Sequence, residues 1–182
     1  MLNKTLKYSL LLATAALSST AFAESTVSVG YAYSKIEDVK LKGVNAQYRY
    51  EWDSPVNLVV SASYLKGDNK LSYTDGYDMY HDEYNVKQFS LLAGPEYKIN
   101  DFLGVYALAG FAHSKIEGQQ TWVNSTGHTK DFNDSLKETN FAYGVGVKIN
   151  PIDNVSVNLG YEGTKVDGAK AKGFNIGVGY RF

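Results

Sequence analysis

The chain ends in a strict alternation. Phe174, Ile176, Val178, Tyr180 and Phe182 occupy every second position of its last stretch, with Asn175, Gly177, Gly179 and Arg181 between them. A period of two means a β-strand with one apolar and one polar face. The pattern runs to the carboxy-terminal residue, so this strand has no following segment to cover it. An amphipathic strand at a chain end is an aggregation hazard unless another strand pairs with it. Pairing with the first strand of a closed barrel removes the hazard.

The rest of the chain supplies strands for such closure. Residues 26–34 alternate Val27, Val29, Tyr31 and Tyr33 with small or polar neighbours, and residues 42–52 do so through Val44, Ala46, Tyr48, Tyr50 and Trp52. A turn at Asp53-Ser54-Pro55 leads to Val56, Leu58, Val60, Ala62 and Tyr64. The fourth segment, residues 84–99, carries Phe89, Leu91, Ala93, Pro95, Tyr97 and Ile99 on one face. Pro95 has no amide hydrogen for a ladder and is expected at a bulge or strand-end irregularity. The fifth, residues 102–116, is apolar on both faces, which leaves its orientation open. A buried helix is the other reading there, with Gly104 and Gly110 against it. The sixth (residues 140–149) and seventh (155–162) alternate cleanly across the 150–154 turn, and Asp167-Gly168 marks a hairpin into the last.

The amino terminus sets the compartment. Lys4 and Lys7 precede a short apolar run, residues 10–17, and Ala21-Phe22-Ala23 fits a signal-peptidase site. The run is too short for a transmembrane helix, which needs about 20 residues. Residues 1–23 are therefore read as a cleaved signal peptide and residues 24–182 as one barrel domain. Cleavage leaves 16 basic against 19 acidic residues, a net charge of −3 that gives no reason to expect nucleic acid. The chain has no cysteine, which excludes thiolate metal sites and cysteine nucleophiles. No later stretch suits a membrane helix, so a span has to be made of strands.

A secreted sandwich also alternates, so the class rests on two further patterns. Connections alternate in length: those near Ser54, Asn100 and Pro151 are short, while residues 67–83 and 117–138 read as long polar loops. The chain's 15 tyrosines and 8 phenylalanines also fall into bands. Tyr48, Tyr50, Trp52, Tyr97, Phe102, Tyr180 and Phe182 lie toward the short-turn rim. Tyr31, Tyr33, Tyr64, Phe89, Phe141 and Phe174 lie toward the other. Two aromatic girdles, an even strand count and short turns on one rim describe an eight-stranded antiparallel, up-and-down transmembrane β-barrel with short periplasmic turns and longer extracellular loops.

Such a barrel has an interior filled by side chains. Arg49, Glu51, Glu96, Lys98, Lys148, Glu162 and Arg181 are expected to point into it as a paired network that plugs the lumen. At the long-loop rim, Lys42, Lys66 and Lys87 are candidates for contact with the phosphates of outer-leaflet lipopolysaccharide. The loop aromatics Tyr73, Tyr77, Tyr80, Trp122 and Phe132 are candidates for protein binding. His81, His113 and His128 share no metal-ligand spacing, and no motif sets a nucleophile beside them. No catalytic residue, metal or cofactor is expected.

The stretches Ser28-Val29-Gly30-Tyr31-Ala32, Tyr48-Arg49-Tyr50-Glu51, residues 93–101 (AGPEYKIND), Tyr143-Gly144-Val145-Gly146-Val147 and Gly177-Val178-Gly179-Tyr180-Arg181-Phe182 follow one another in an order that resembles the Ail/OmpX/PagC/Lom family of small outer-membrane proteins. The resemblance implies the eight-stranded barrel with four surface loops. It implies adhesion to or invasion of host cells or matrix and resistance to serum complement through regulatory proteins, or else a housekeeping role in the envelope. A barrel protease or acyltransferase is the remaining alternative. Tyr180 and Phe182 resemble the terminal signal read by the barrel assembly machinery.

Overall fold

The computed structural model describes the backbone of residues 25–36, 39–75, 78–123 and 129–182, with the side chains of these except 69–84 and 119–134. The expected leader, residues 1–23, lies outside the described residues. Eight strands follow in order: β1 Ser25–Ile36, β2 Val39–Tyr50, β3 Val56–Asp75, β4 Asp78–Lys98, β5 Leu103–Val123, β6 Thr129–Ile152, β7 Val155–Val166 and β8 Ala169–Arg181. Each pairs antiparallel with its neighbours in sequence, and the sheet closes into a barrel.

Closure is made by the two ends of the chain. β1 and β8 pair from Thr26 opposite Arg181 to Ile36 opposite Ala171. The Ser25 and Phe182 amides each donate to the other residue's carbonyl at 3.0 Å. Following paired positions around the barrel from Ser28 through Gln47, Ser61, Leu92, Gly110, Ala142, Thr164 and Ala171 returns to β1 at Ile36, eight residues further on. Eight strands with a shear of eight tilt by roughly 36° and leave room inside for side chains only.

Residues 67–83 and 117–138 differ from the sequence reading. Their described parts, 67–75, 78–83, 117–123 and 129–138, are continuations of β3 to β6, which reach 20, 21, 21 and 24 residues, whereas β1, β2 and β7 have 12 and β8 has 13. A strand that continues past the apolar band of a barrel has no face that must be apolar. Apolar alternation then has nothing to mark, and backbone pairing in register carries the strands on alone.

The fifth segment is a strand and not a helix. Val105 and Phe111 point outward, and Tyr106, Leu108 and Ala112 are buried inside. Pro95 does not make a bulge: the β4–β5 ladder lapses between Ala93–Ala109 and Glu96–Tyr106 and resumes in the same register. The hairpin at Asp167-Gly168 is as expected, with φ of 49° and 76°, a two-residue turn that favours an Asp-Gly pair.

The outer face is apolar all round, including Val29, Val44, Phe141, Val145, Phe174 and Val178. Phe174 packs against Tyr33, tilted by 34° with ring centroids 5.2 Å apart, near the tall rim, and Tyr180 stacks on Phe182 at 6.4 Å near the other. Inside, the inward positions are not uniformly polar or small, contrary to the alternation argument. Val59, Leu92, Tyr106, Leu108, Ala112 and Ala142 form one buried cluster, and Ile36, Leu41, Leu65, Val86, Val166 and Ala171 another toward the tall rim. The sequence signal for them is doublets apolar on both faces, Val59-Val60 and Leu91-Leu92.

Candidate functional site

The strands bring most of the predicted interior charges together near the short-turn rim. Arg49 is the hub. Its guanidinium lies 2.6 Å from Glu51 Oε1 and 2.8 Å from Glu96 Oε1, and Nη2 and Nε donate to Thr26 Oγ1 at 3.0 and 3.3 Å. Arg181 reaches Glu51 Oε2 at 3.2 Å, so the terminal strand faces this network as expected. Lys148 is fully buried, with Glu96 Oε2 at 3.9 Å. Planar bidentate donors suit arginine for such a hub, since its fork satisfies two carboxylates at once.

Two predicted members stand apart. Lys98 lies at the mouth, where its ammonium pairs with Asp101 at 2.7 Å across the turn. The hydrogen bond and charge of Lys98 hold the Asp101 carboxyl below its usual range. Glu162 sits higher, held by Ser63, Ser90 and Asn175. Between the two groups Tyr106 crosses the lumen: Gln47 donates to its hydroxyl at 3.4 Å, and the hydroxyl donates to the Leu159 carbonyl at 3.4 Å. Its hydroxyl would lie about 2.4 Å from a Cβ at Gly146 and 2.5 Å from one at Gly160, so both positions must be glycine for the ring to fit. The lumen is thus filled by charge pairs below, an aromatic in the middle and aliphatic side chains above.

At the tall rim the lysines fall into register. Lys42 is opposite Lys66, Lys66 opposite Lys87, Lys87 opposite Lys115 and Lys115 opposite Lys137, one row across β2 to β6. All five sit at outward positions. Like charges directly opposite destabilise a sheet, so an anion is wanted here. Glu117 supplies one locally: Lys87 Nζ is 2.7 Å from Oε2, and Lys115 pairs with Oε1. The hydrogen bonds from Lys115 and then Lys87 pull the Glu117 carboxyl down to about 2. Lys87 is therefore engaged within the protein. Lys66 lies over the Tyr64 ring at 5.6 Å, and Lys42 is exposed. On the other side of the barrel Lys165, Lys170 and Lys172 border a groove of about 370 Å³ floored by Phe141, Tyr143 and Ala171. The sequence reading took Lys42, Lys66 and Lys87 as the candidates at this rim and did not see that Lys165, Lys170 and Lys172 share an apolar floor. The signal was there in the pairing of Lys165 with Lys170 across the Asp167-Gly168 hairpin.

Four of the five candidate aromatics, Tyr73, Tyr80, Trp122 and Phe132, lie on the tall strands. Tyr73 is opposite Tyr80, and Tyr80 is opposite Trp122, so three of the five occupy one row across β3, β4 and β5. Phe132 is opposite Gln120, outside that row. Tyr77 lies outside the described residues, as do the side chains of the other four. Of the histidines, His113 faces outward and its Nδ1 is 2.8 Å from Thr139 Oγ1. The side chains of His81 and His128 lie outside the described residues. Among the described residues no group of three or more His, Asp or Glu is placed to hold a metal.

A closed eight-stranded barrel with a lipid-facing apolar surface, two aromatic girdles and a charged, plugged lumen is an outer-membrane β-barrel of a Gram-negative bacterium. Within that class the chain belongs to the Enterobacterial Ail/Lom protein family, whose model matches residues 4–182. It is 45% identical over 161 residues to the virulence membrane protein PagC of Salmonella typhimurium, covering 85% of each chain. It is 32% identical over 197 residues to the attachment invasion locus protein of Yersinia enterocolitica, covering all of both. Among solved structures it is similar to Ail of Yersinia pestis in complex with the heparin analogue sucrose octasulfate, at a TM-score of 0.67 and 29% identity. That match covers 88% of this chain and 99% of the other.

Proposed function

We propose that this protein is a non-enzymatic surface adhesin that binds host cells or matrix, and complement-regulatory proteins in serum, through the sheet raised by β3 to β6. The observation that carries the proposal is the row Tyr73–Tyr80–Trp122, which gathers candidates from three strands at one level above the membrane. Tyr and Trp concentrate binding energy because they bury large areas at little entropic cost. The relatives named for attachment, invasion and virulence support the same reading. The test is binding of cultured host cells, and survival in serum, by a non-adherent bacterial strain displaying either the wild type or the triple variant Tyr73→Ser, Tyr80→Ser, Trp122→Ser at equal surface density. At least about a tenfold loss of binding is expected, about the 1.4 kcal/mol that one lost aromatic anchor is worth. Undiminished binding and survival would favour a housekeeping envelope role.

The outward lysines give the barrel a second, local partner. Lys42, Lys66, Lys165, Lys170 and Lys172 sit where apolar surface gives way to polar rim, and they match the phosphates of outer-leaflet lipopolysaccharide. Lys87 contributes less, because Glu117 already neutralises it. That the Yersinia pestis relative was solved in complex with the heparin analogue sucrose octasulfate, a polyanion, supports this reading. Replacing Lys165, Lys170 and Lys172 with glutamine should weaken binding to lipopolysaccharide vesicles more than Lys87→Gln does. Equal binding by both variants would remove the groove from the account.

A further inference from the structure

The six charges inside the barrel balance in total but not in place. Arg49, Lys148 and Arg181 share the lower lumen with Glu51 and Glu96, while Glu162 stands alone above Tyr106. Among the described residues no ammonium or guanidinium lies within ion-pair distance of Glu162. Its hydrogen-bond partners are two hydroxyls and one amide. Asn45 Nδ2 donates to Ser63 Oγ at 2.9 Å, which leaves the Ser63 hydroxyl to donate to Glu162 Oε1 at 3.0 Å. Asn175 Nδ2 donates to the same oxygen at 3.2 Å, and Ser90 Oγ lies 3.0 Å from the other. An oxygen that accepts twice carries no proton of its own.

Beside this carboxylate is a cavity of about 20 Å³, room for one water-sized occupant. Ala32, Ala112, Ala142 and Gly173 keep the space open. Gln88 and Asn175 line it too. Both are 4% exposed, and the carbonyl oxygens Gln88 Oε1 and Asn175 Oδ1 have no hydrogen-bond partner. A half-buried carboxylate with no cationic partner among the described residues and two orphaned carbonyls all offer lone pairs that a positive centre would satisfy. All-oxygen ligands select hard cations over soft ones. At this point of the lumen a single carboxylate matches one unit of positive charge, so a monocation balances it locally and a dication does not.

We infer that the Glu162 cavity is a binding site for one small alkali cation, sodium or potassium, which completes the charge balance of the upper lumen. The test uses the full barrel refolded in lipid vesicles and unfolded with urea at neutral pH. Sodium or potassium chloride is compared with tetramethylammonium chloride at equal ionic strength, the last cation being too large for the cavity. A cation present at about twice its Kd raises the folded-to-unfolded ratio about threefold. That rise or more is expected for the wild type in the alkali salts, with equal ratios in all three salts for Glu162→Gln. Equal ratios for the wild type would overturn the site and assign the cavity to water beside a neutral carboxyl. The wild-type comparison decides even if Glu162→Gln does not refold. Gln88→Leu, which removes a carbonyl ligand and keeps the carboxylate, should show a reduced cation effect. A full wild-type effect in either variant would place the cation elsewhere and equally overturn the proposal.

Discussion

Replacing Arg49 with methionine should cost this barrel about 3–4 kcal/mol of stability. The guanidinium makes charge-assisted contacts with Glu51 at 2.6 Å and Glu96 at 2.8 Å, and both carboxylates are buried. Such hydrogen bonds are worth about 1.5–3 kcal/mol each, so two lost contacts amount to roughly 3–6 kcal/mol. Part is recovered, because Glu51 keeps Arg181 at 3.2 Å and Glu96 keeps Lys148 at 3.9 Å. The estimate also agrees with the roughly 3–5 kcal/mol seen when one partner of a buried ion pair is removed. Urea titration of the barrel in lipid vesicles, read by the heat-dependent gel mobility of folded barrels, measures it. A loss below about 1 kcal/mol would refute the claim that Arg49 is the hub.

Three further outcomes follow from particular contacts. A side chain at Gly163 would put its Cβ 2.5 Å from Tyr143 Cζ, so Gly163→Val should lower stability by about 1–3 kcal/mol; the same unfolding assay should show much of that loss absent when Tyr143 is also alanine. Glu117 should titrate with a midpoint of about 2 in the folded protein. Its folded value is depressed, so its stabilising contribution is present above the ordinary carboxylate value and is lost as pH falls through about 2. Carboxyl NMR checks this, and Lys115→Met should raise the midpoint more than Lys87→Met; a midpoint near 4 in the wild type would contradict the ion-pair geometry. Phe182→Glu should reduce the amount of assembled barrel in cells by more than it alters stability after refolding in vitro, and unchanged assembly would exclude a role for the terminal aromatic in insertion.

What was legible in the chain followed from the membrane as a solvent. Inside a bilayer one strand face must be apolar and the other must not, so Phe174, Ile176, Val178, Tyr180 and Phe182 announce their surroundings at every second position. The same constraint made the pairing of β1 with β8 and the inward aim of Arg49, Glu96, Lys148 and Arg181 readable. Beyond the apolar band that constraint lapses, and the strand residues 67–75, 78–83, 117–123 and 129–138 read from sequence as loops. Their strand character comes from backbone pairing with neighbours, which leaves no period in the side chains.

The sequence by itself thus determined the strand faces and the closed antiparallel order, because these depend on near neighbours along the chain. Only the tertiary structure decided who meets whom across the lumen. A shear of eight sets Arg49 against Glu96 and leaves Glu162 with hydroxyls and amides but no cation. It also aligns Tyr73, Tyr80 and Trp122, and separates the lysine held by Glu117 from those facing the groove. Register around a closed sheet is a property of all eight strands together, and no single segment carries it.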